Sequence, residues 1–193
     1  SQSGETADTL AALKEAQDSG LDTIAITNTV MSSIARQVDE GIYQRVGPEV
    51  SVASTKAFTS QLTLGLMLSI LIGRKNTLSV LESKRMISYL RRLPSLIDET
   101  LSLSKENCRK LGVNYSMVKE MTFLGRQYMY PIALEAALKF RELSYINTIG
   151  YASGEMKHGP LASIENRSRC VFLAPQECLK DKNITSMREL KSR

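Results

Sequence analysis

The chain has 193 residues, with 25 Lys plus Arg against 20 Asp plus Glu and a formal net charge of +5. Hydrophobic residues make up 42% and charged residues 23%, a globular balance that excludes a wholly disordered chain and allows a core without disulfides or structural metals. The small positive excess calls for no polyanion, and Cys108, Cys170 and Cys178 form no CxxC pair, so no disulfide framework or zinc knuckle is expected and a reducing, cytoplasmic setting is the default.

The loop Ser1 to Thr6 leads into a helix from Ala7 to Ala16, where Leu10 and Leu13 recur at helical spacing. Glu5 and Asp8 suit the positive end of its dipole, and Gly20 stops it. Asp22 to Asn28 reads as a short buried strand, Ser32 to Val38 as a helical turn and Gly41 to Val46 as a second strand. A long helix from about Ser54 to Ile72, ended by Gly73, carries the densest apolar stretch. Thr59, Ser60, Gln61, Thr63, Gly65 and Ser69 interrupt that stretch, so a buried helix is expected rather than a bilayer span. Thr77 to about Lys110 is helical in pattern, with a break at Pro94. Its Lys84, Arg85, Arg91 and Arg92 lack interleaved aromatics and read as a solvated face, not a nucleic-acid site.

A second rhythm starts with a strand at Met121 to Leu124. Pro131 fits the first position of a helix that runs to Tyr145. Cys170 to Ala174 is another strand, and Asn183 to Arg193 is helical. The alternation implies an α/β protein with parallel sheets. The chain opens in a strand-to-helix loop without a leader-like segment and closes in a helix without a stop signal, so it is expected to be a fragment.

Four constellations could carry chemistry. Ser1, Gln2, Ser3 and Thr6 surround Gly4 just before a helix, as either an ordinary cap or an anion-binding loop. Val52 to Ala57 is a second Ser/Thr-rich helix start, and two such loops fit a site at the carboxyl edge of a parallel sheet. Glu135, Lys139 and Glu142 fall on one helical stripe, as either a surface ion-pair ladder or a carboxylate base beside an ammonium. His158 is the single histidine, within Gly154 to Pro160, and its unperturbed pKa of about 6.5 suits proton transfer or a purely structural role. Glu155 and His158 have the i, i+3 spacing of a di-iron ligand pair, but no second such pair exists, so no metal or cofactor is expected.

The runs Ser-Gln-Ser-Gly-Glu-Thr-Ala-Asp-Thr, Val-Ala-Ser-Thr-Lys-Ala-Phe-Thr, Tyr-Pro-Ile-Ala-Leu-Glu-Ala-Ala-Leu-Lys-Phe-Arg-Glu-Leu-Ser-Tyr-Ile and Gly-Glu-Met-Lys-His-Gly-Pro-Leu-Ala stand in this order between Ser1 and Ala162. Together they resemble the sugar isomerase (SIS) region of the glutamine–fructose-6-phosphate aminotransferase family. The resemblance implies a parallel-sheet, flavodoxin- or Rossmann-like three-layer sandwich in two partial subdomains. Residues 1–75 would be the later half of the first subdomain, 76–116 connecting helices, and 117–193 the earlier half of the second. It also implies that Ser1, Gln2, Ser3 and Thr6 hold a sugar phosphate and that Val52 and Ser54 line the sugar site. Glu142 would move a proton between two sugar carbons, Lys139 would tune its charge, and His158 would assist ring opening in a neighbouring subunit. The implied activity is amination of fructose 6-phosphate and isomerisation to glucosamine 6-phosphate. It would need an upstream glutaminase domain and a homodimer, with no nucleic acid or membrane partner, and the piece alone would be inactive. The alternatives are an SIS-domain sugar-phosphate deaminase or deglycase, and a non-catalytic sugar-phosphate-binding regulatory module.

Overall fold

The computed structural model describes residues 1–166, 168–175 and 179–192, so Cys178 lies outside the described residues. The chain divides into two compact units, Ser1–Leu103 and Ser104–Arg193.

The first unit opens with helix α1 (Ala7–Asp18), which closes in a left-handed turn at Gly20, where Leu21 N–H reaches back to the Ala16 carbonyl at 3.0 Å. Strand β1 (Ile24–Thr27), the short helix α2 (Ser33–Gln37) and strand β2 (Glu40–Tyr43) follow. The strands pair in parallel, from Ile24 opposite Glu40 to Thr27 opposite Tyr43. Just ahead of both, Asp39 Oδ2 accepts the Thr23 hydroxyl at 2.7 Å and the Thr23 amide at 2.8 Å. Those bonds, the side-chain one foremost, hold the Asp39 carboxyl below its ordinary pKa. Leu13, Ala25 and Ile34 form the buried core of this layer, with Leu10 and Val38 packed against it.

Helices α3 (Lys56–Asn76) and α4 (Val80–Asn114) complete the helical part. Three expectations change here. Gly73 does not end α3, which runs on to Asn76; the chain reverses afterwards, with the amides of Thr77 and Leu78 both donating to the Gly73 carbonyl. Only Ala57 and Ile70 of α3 are buried, so it is not a buried helix. Its hydroxyls return to the preceding turn, as Thr63 does to the Thr59 carbonyl at 2.9 Å and Ser69 to the Gly65 carbonyl at 2.8 Å, which satisfies them without burial. By length and composition α3 is apolar enough to cross a membrane. Finally, α4 passes through Pro94 without a break. The proline removes one backbone donor, a loss confined to one link of a 35-residue ladder. A reciprocal capping box starts α4: Ser79 N–H donates to Glu82 Oε2 at 3.0 Å and Glu82 N–H to Ser79 Oγ at 3.2 Å.

In the second unit, strand β3 (Glu120–Gly125) leads to helix α5 (Met129–Ser144), strand β4 (Asn147–Ala152), two short 3-10 turns at Met156–His158 and Pro160–Ser163, strand β5 (Arg169–Leu173) and helix α6 (Lys180–Lys191). The sheet is parallel, in the order β4-β3-β5. Alternation along β3 gives the sheet two apolar faces. Met121 and Phe123 pack with Ala133 and Ala137 of α5, while Leu124 packs with Met156 and with Leu190 of α6. The sheet is therefore covered by α5 on one side and α6 on the other. Pro131 stands third in α5 rather than first, still within the turn whose amides have no intrahelical partner. Strand β4 has no counterpart in the sequence expectations. Its residues are largely polar or small, and Gly150 serves a close approach, since a Cβ there would come within 2.9 Å of the Leu134 Cα.

Candidate functional site

In the first unit the opening loop lies beyond the carboxyl end of β1, where the Gln2 carbonyl accepts the amides of Asn28 at 3.0 Å and Thr29 at 3.3 Å. Ser1 Oγ accepts the Gly4 amide at 3.1 Å and lies 3.2 Å from Thr6 Oγ1, and Ser3 Oγ accepts the Glu5 amide at 3.2 Å. Thr6 does not cap α1 with its side chain. Its hydroxyl turns to Ser1, so the loop gathers polar groups over a helix start whose first amides are left for another acceptor. Gly4 is buried with φ +69, and a Cβ there would overlap the Ser32 hydroxyl, so only glycine fits. The Gly4 carbonyl accepts the Ile34 amide at 3.0 Å, and Glu5 Oε1 accepts the Ser33 amide at 2.7 Å. Hydrogen bonding from Ser33 keeps the Glu5 carboxyl below its ordinary pKa.

The second helix start is differently arranged. Val52 is 83% exposed. Ser54 donates to Glu49 Oε2 at 2.8 Å, while Glu49 Oε1 accepts the amides of Thr55 at 2.6 Å and Lys56 at 2.8 Å. An internal carboxylate thus occupies the amides where an anion would sit at the start of α3. The Thr55 amide is the main cause, with Ser54 and Lys56 adding, of a Glu49 pKa lowered from 4.5 to about 2. A pKa depressed in the fold contributes stability that is complete above about 4.5 and is lost as pH falls through about 2. A carbon-13 titration of the Glu49 carboxyl is expected to show a midpoint near 2, with faster exchange of the Thr55 and Lys56 amides as it protonates. A midpoint at 4.5 would mean that Glu49 does not cap α3.

Neither Asn28, placed at the end of an expected strand, nor Glu49 is a candidate site residue in the sequence analysis. The Asn28 side chain accepts the Val46 amide at 3.1 Å and donates to the Gly47 carbonyl at 2.8 Å, tying the loop after β1 to the segment after β2. Apolar periodicity carries no signal for such a polar bridge. An acidic residue ahead of the Ser54-Thr55 start would have been the clue for Glu49.

In the second unit, α5 sets Lys139 Nζ 3.1 Å from Glu142 Oε2 and 3.3 Å from Glu135 Oε1. The three side chains are 20–29% exposed, so the cluster is neither sealed in the core nor fully solvated. Partial burial opposes the Lys139 charge, but hydrogen bonds to Glu142 and Glu135 outweigh it and raise its pKa above the ordinary value. The sequence-expected stripe is therefore a real cluster, with a carboxylate that can accept a proton beside a fixed ammonium. His158 is exposed on the 3-10 turn after β4, and no hydrogen bond or ion pair joins it to Lys139 or Glu142. Among the described residues, no group of three or more His, Cys, Asp or Glu could hold a metal ion.

The SIS domain model matches residues 1–71 and 115–193, which takes in both helix-start loops and all of β3 to α6. The chain belongs to the SIS domain family. Over its whole length it is 45% identical to the glutamine–fructose-6-phosphate aminotransferase [isomerizing] of Clostridium acetobutylicum and 45% identical to the protein so named from Haemophilus ducreyi, covering 32% of each. The chain thus spans about a third of the length of these curated relatives. The solved C-terminal domain of glucosamine-fructose-6-phosphate aminotransferase from Francisella tularensis superposes on the whole chain with a TM-score of 0.96 at 37% identity, and 55% of that domain is covered. A glucosamine-6-phosphate deaminase from Thermotoga maritima shares the SIS fold at 22% identity and a TM-score of 0.79. Most of α3 falls inside the matched region, so it is a helix of the SIS domain despite its span-like length.

Proposed function

We propose that this SIS chain is part of the isomerase region of an isomerizing glutamine–fructose-6-phosphate aminotransferase. Residues 1–75 form the later half of one SIS subdomain and 117–193 the earlier half of another. Ser1, Gln2, Ser3 and Thr6 hold the phosphate of fructose 6-phosphate, and Val52 and Ser54 line the sugar. Glu142 carries the proton between the first two sugar carbons: it takes one from the carbon bearing the hydrogen and returns it to the neighbour, while Lys139 keeps its negative charge compensated. His158 assists ring opening in the neighbouring subunit of a homodimer, and a glutaminase domain elsewhere in the polypeptide supplies ammonia. The setting is cytoplasmic.

The observation that carries this reading is the similarity over the full chain to relatives bearing that enzyme's name. The geometry adds two supports: a loop of hydroxyls and amides at the carboxyl edge of a parallel strand, and a carboxylate with its own ammonium. A deaminase is less favoured, since the similarity to one extends only to the fold. A regulatory module needs the hydroxyl loop but has no use for the Lys139–Glu142 pair.

The phosphate assignment is tested by calorimetry of the full-length polypeptide with fructose 6-phosphate. Replacing Ser3 with Ala and Thr6 with Val together is expected to raise Kd at least ~10-fold, the scale of hydrogen bonds to a charged group. An unchanged Kd would take the opening loop out of the substrate site.

A further inference from the structure

The second unit holds a cleft of roughly 250 Å³ that plays no part in the reading above. Gly125, the last residue of β3, is the register partner of Ala152, the last of β4. Two neighbouring parallel strands therefore release their chains at the same edge. The residues that come next, Arg126 and Ser153, line the cleft, and Lys182 and Thr185 of α6 line it from the helix. The cleft therefore lies at the carboxyl ends of β3 and β4, the edge at which ligands bind in an open parallel sheet.

The lining is cationic and short of partners. Among the described residues of the lining, Arg126, Lys157 and Lys182 face a single carboxylate, Glu189, which pairs with Lys157 at 2.7 Å. The surplus of two positive charges matches a phosphate monoester, which carries a charge of about −1.5 to −2 at neutral pH. One terminal guanidinium nitrogen of Arg126 donates to Ser186 Oγ at 3.1 Å, but its Nε is buried without a partner among the described residues. Gly154 leaves room for this guanidinium, since a Cβ would come within 3.1 Å of it. Ser153 is 3% exposed, and its hydroxyl is likewise buried with no hydrogen-bond partner among the described residues. Buried polar groups in native proteins are normally satisfied, and two unsatisfied donors on one cationic cleft call for an acceptor that enters it. At this volume, below the roughly 300–1,000 Å³ of a whole-ligand pocket, the cleft suits the phosphate group alone with the remainder of its molecule outside.

We propose that this cleft is a second anion site, which takes the phosphate of a small phosphorylated molecule through Arg126, Ser153, Lys157 and Lys182. The assignment does not rest on the opening loop, which belongs to the other unit.

The test is nuclear magnetic resonance of the full chain titrated with inorganic phosphate. The amides of Ser153 and Gly154 are expected to shift in a saturable way. Lys157→Ala with Lys182→Ala, both exposed positions that leave the core untouched, is expected to weaken that response at least ~10-fold. Ser153→Ala is expected to weaken it as well, and Ser3→Ala with Thr6→Val to leave it in place, which separates this site from the opening loop. Tighter binding of glucosamine 6-phosphate at the same amides would identify a sugar ester as the ligand, and tighter binding of inorganic phosphate would identify the free anion; both support the site. Unshifted Ser153 and Gly154 amides, or a response indifferent to Ser153→Ala and to the lysine pair, would overturn it.

Discussion

Replacing Glu142 with Gln in the full-length polypeptide is expected to slow isomerisation at least ~100-fold, while sugar-phosphate binding survives. Glutamine keeps the shape of the side chain and can still accept a hydrogen bond, but it cannot take a proton from carbon. The loss corresponds to about 2.7 kcal/mol of transition-state stabilisation, a typical scale for removal of a general base. The variant should remain folded, because Lys139 keeps Glu135 at 3.3 Å and the Glu142 side chain is 29% exposed rather than built into the core. Measuring glucosamine 6-phosphate formation beside calorimetric binding of fructose 6-phosphate separates the two effects. A rate within a few-fold of the parent would remove Glu142 from the mechanism. Loss of binding and rate together would make it a structural residue.

Gly125→Ala is expected to be the most damaging small substitution in the second unit. Its backbone does not require glycine, because no positive φ occurs there. The obstacle is steric: a Cβ would overlap the Met129 carbonyl and come within 2.7 Å of the Tyr130 amide nitrogen. The first turn of α5 bends tightly over the end of β3, with the Met129 amide donating to the Arg126 carbonyl at 2.9 Å, while the Gly125 carbonyl accepts the Ser153 amide at 2.9 Å. The methyl group thus meets backbone, not a flexible side chain, and relief requires lifting α5 from the sheet. Overpacking of this kind costs about 3 kcal/mol. The urea midpoint of the second unit should fall by roughly 1–3 M, given ordinary denaturant sensitivities. An unmoved midpoint would mean that the strand end relaxes freely.

Much of this architecture was legible because it rests on local signals. Leu10 and Leu13 at helical spacing, the apolar run before Thr27 and the apolar cluster around Val171 announce α1, β1 and β5, and the Glu135–Lys139–Glu142 spacing announces the cluster on α5. What escaped depends on contacts across the sequence. Strand β4 exists because α5 lies against Gly150 and because Thr148 donates from its buried hydroxyl to the Ala137 carbonyl, neither of which shows in its own composition. Pro94 and Gly73 looked like helix stops, but each removes or loosens only one link, and α3 and α4 are long enough to carry through. The polar couplers Asn28 and Arg126 were silent because their partners lie 19 and 60 positions away, while Glu49, with partners only 5 to 7 positions on, was silent because apolar periodicity carries no signal for a polar cap.

The opening loop and α2 are fastened to each other in a way that reaches beyond statics. The amides of Ser33 and Ile34 have their acceptors in Glu5 and Gly4, 28 positions or more earlier in the chain. Neither segment can come undone without exposing the other, so the two should open as one cooperative unit in native-state hydrogen exchange. Anything that tightens the loop over its first six residues will therefore slow exchange at Ser33 and Ile34, two distant amides that report on occupancy without touching the occupant.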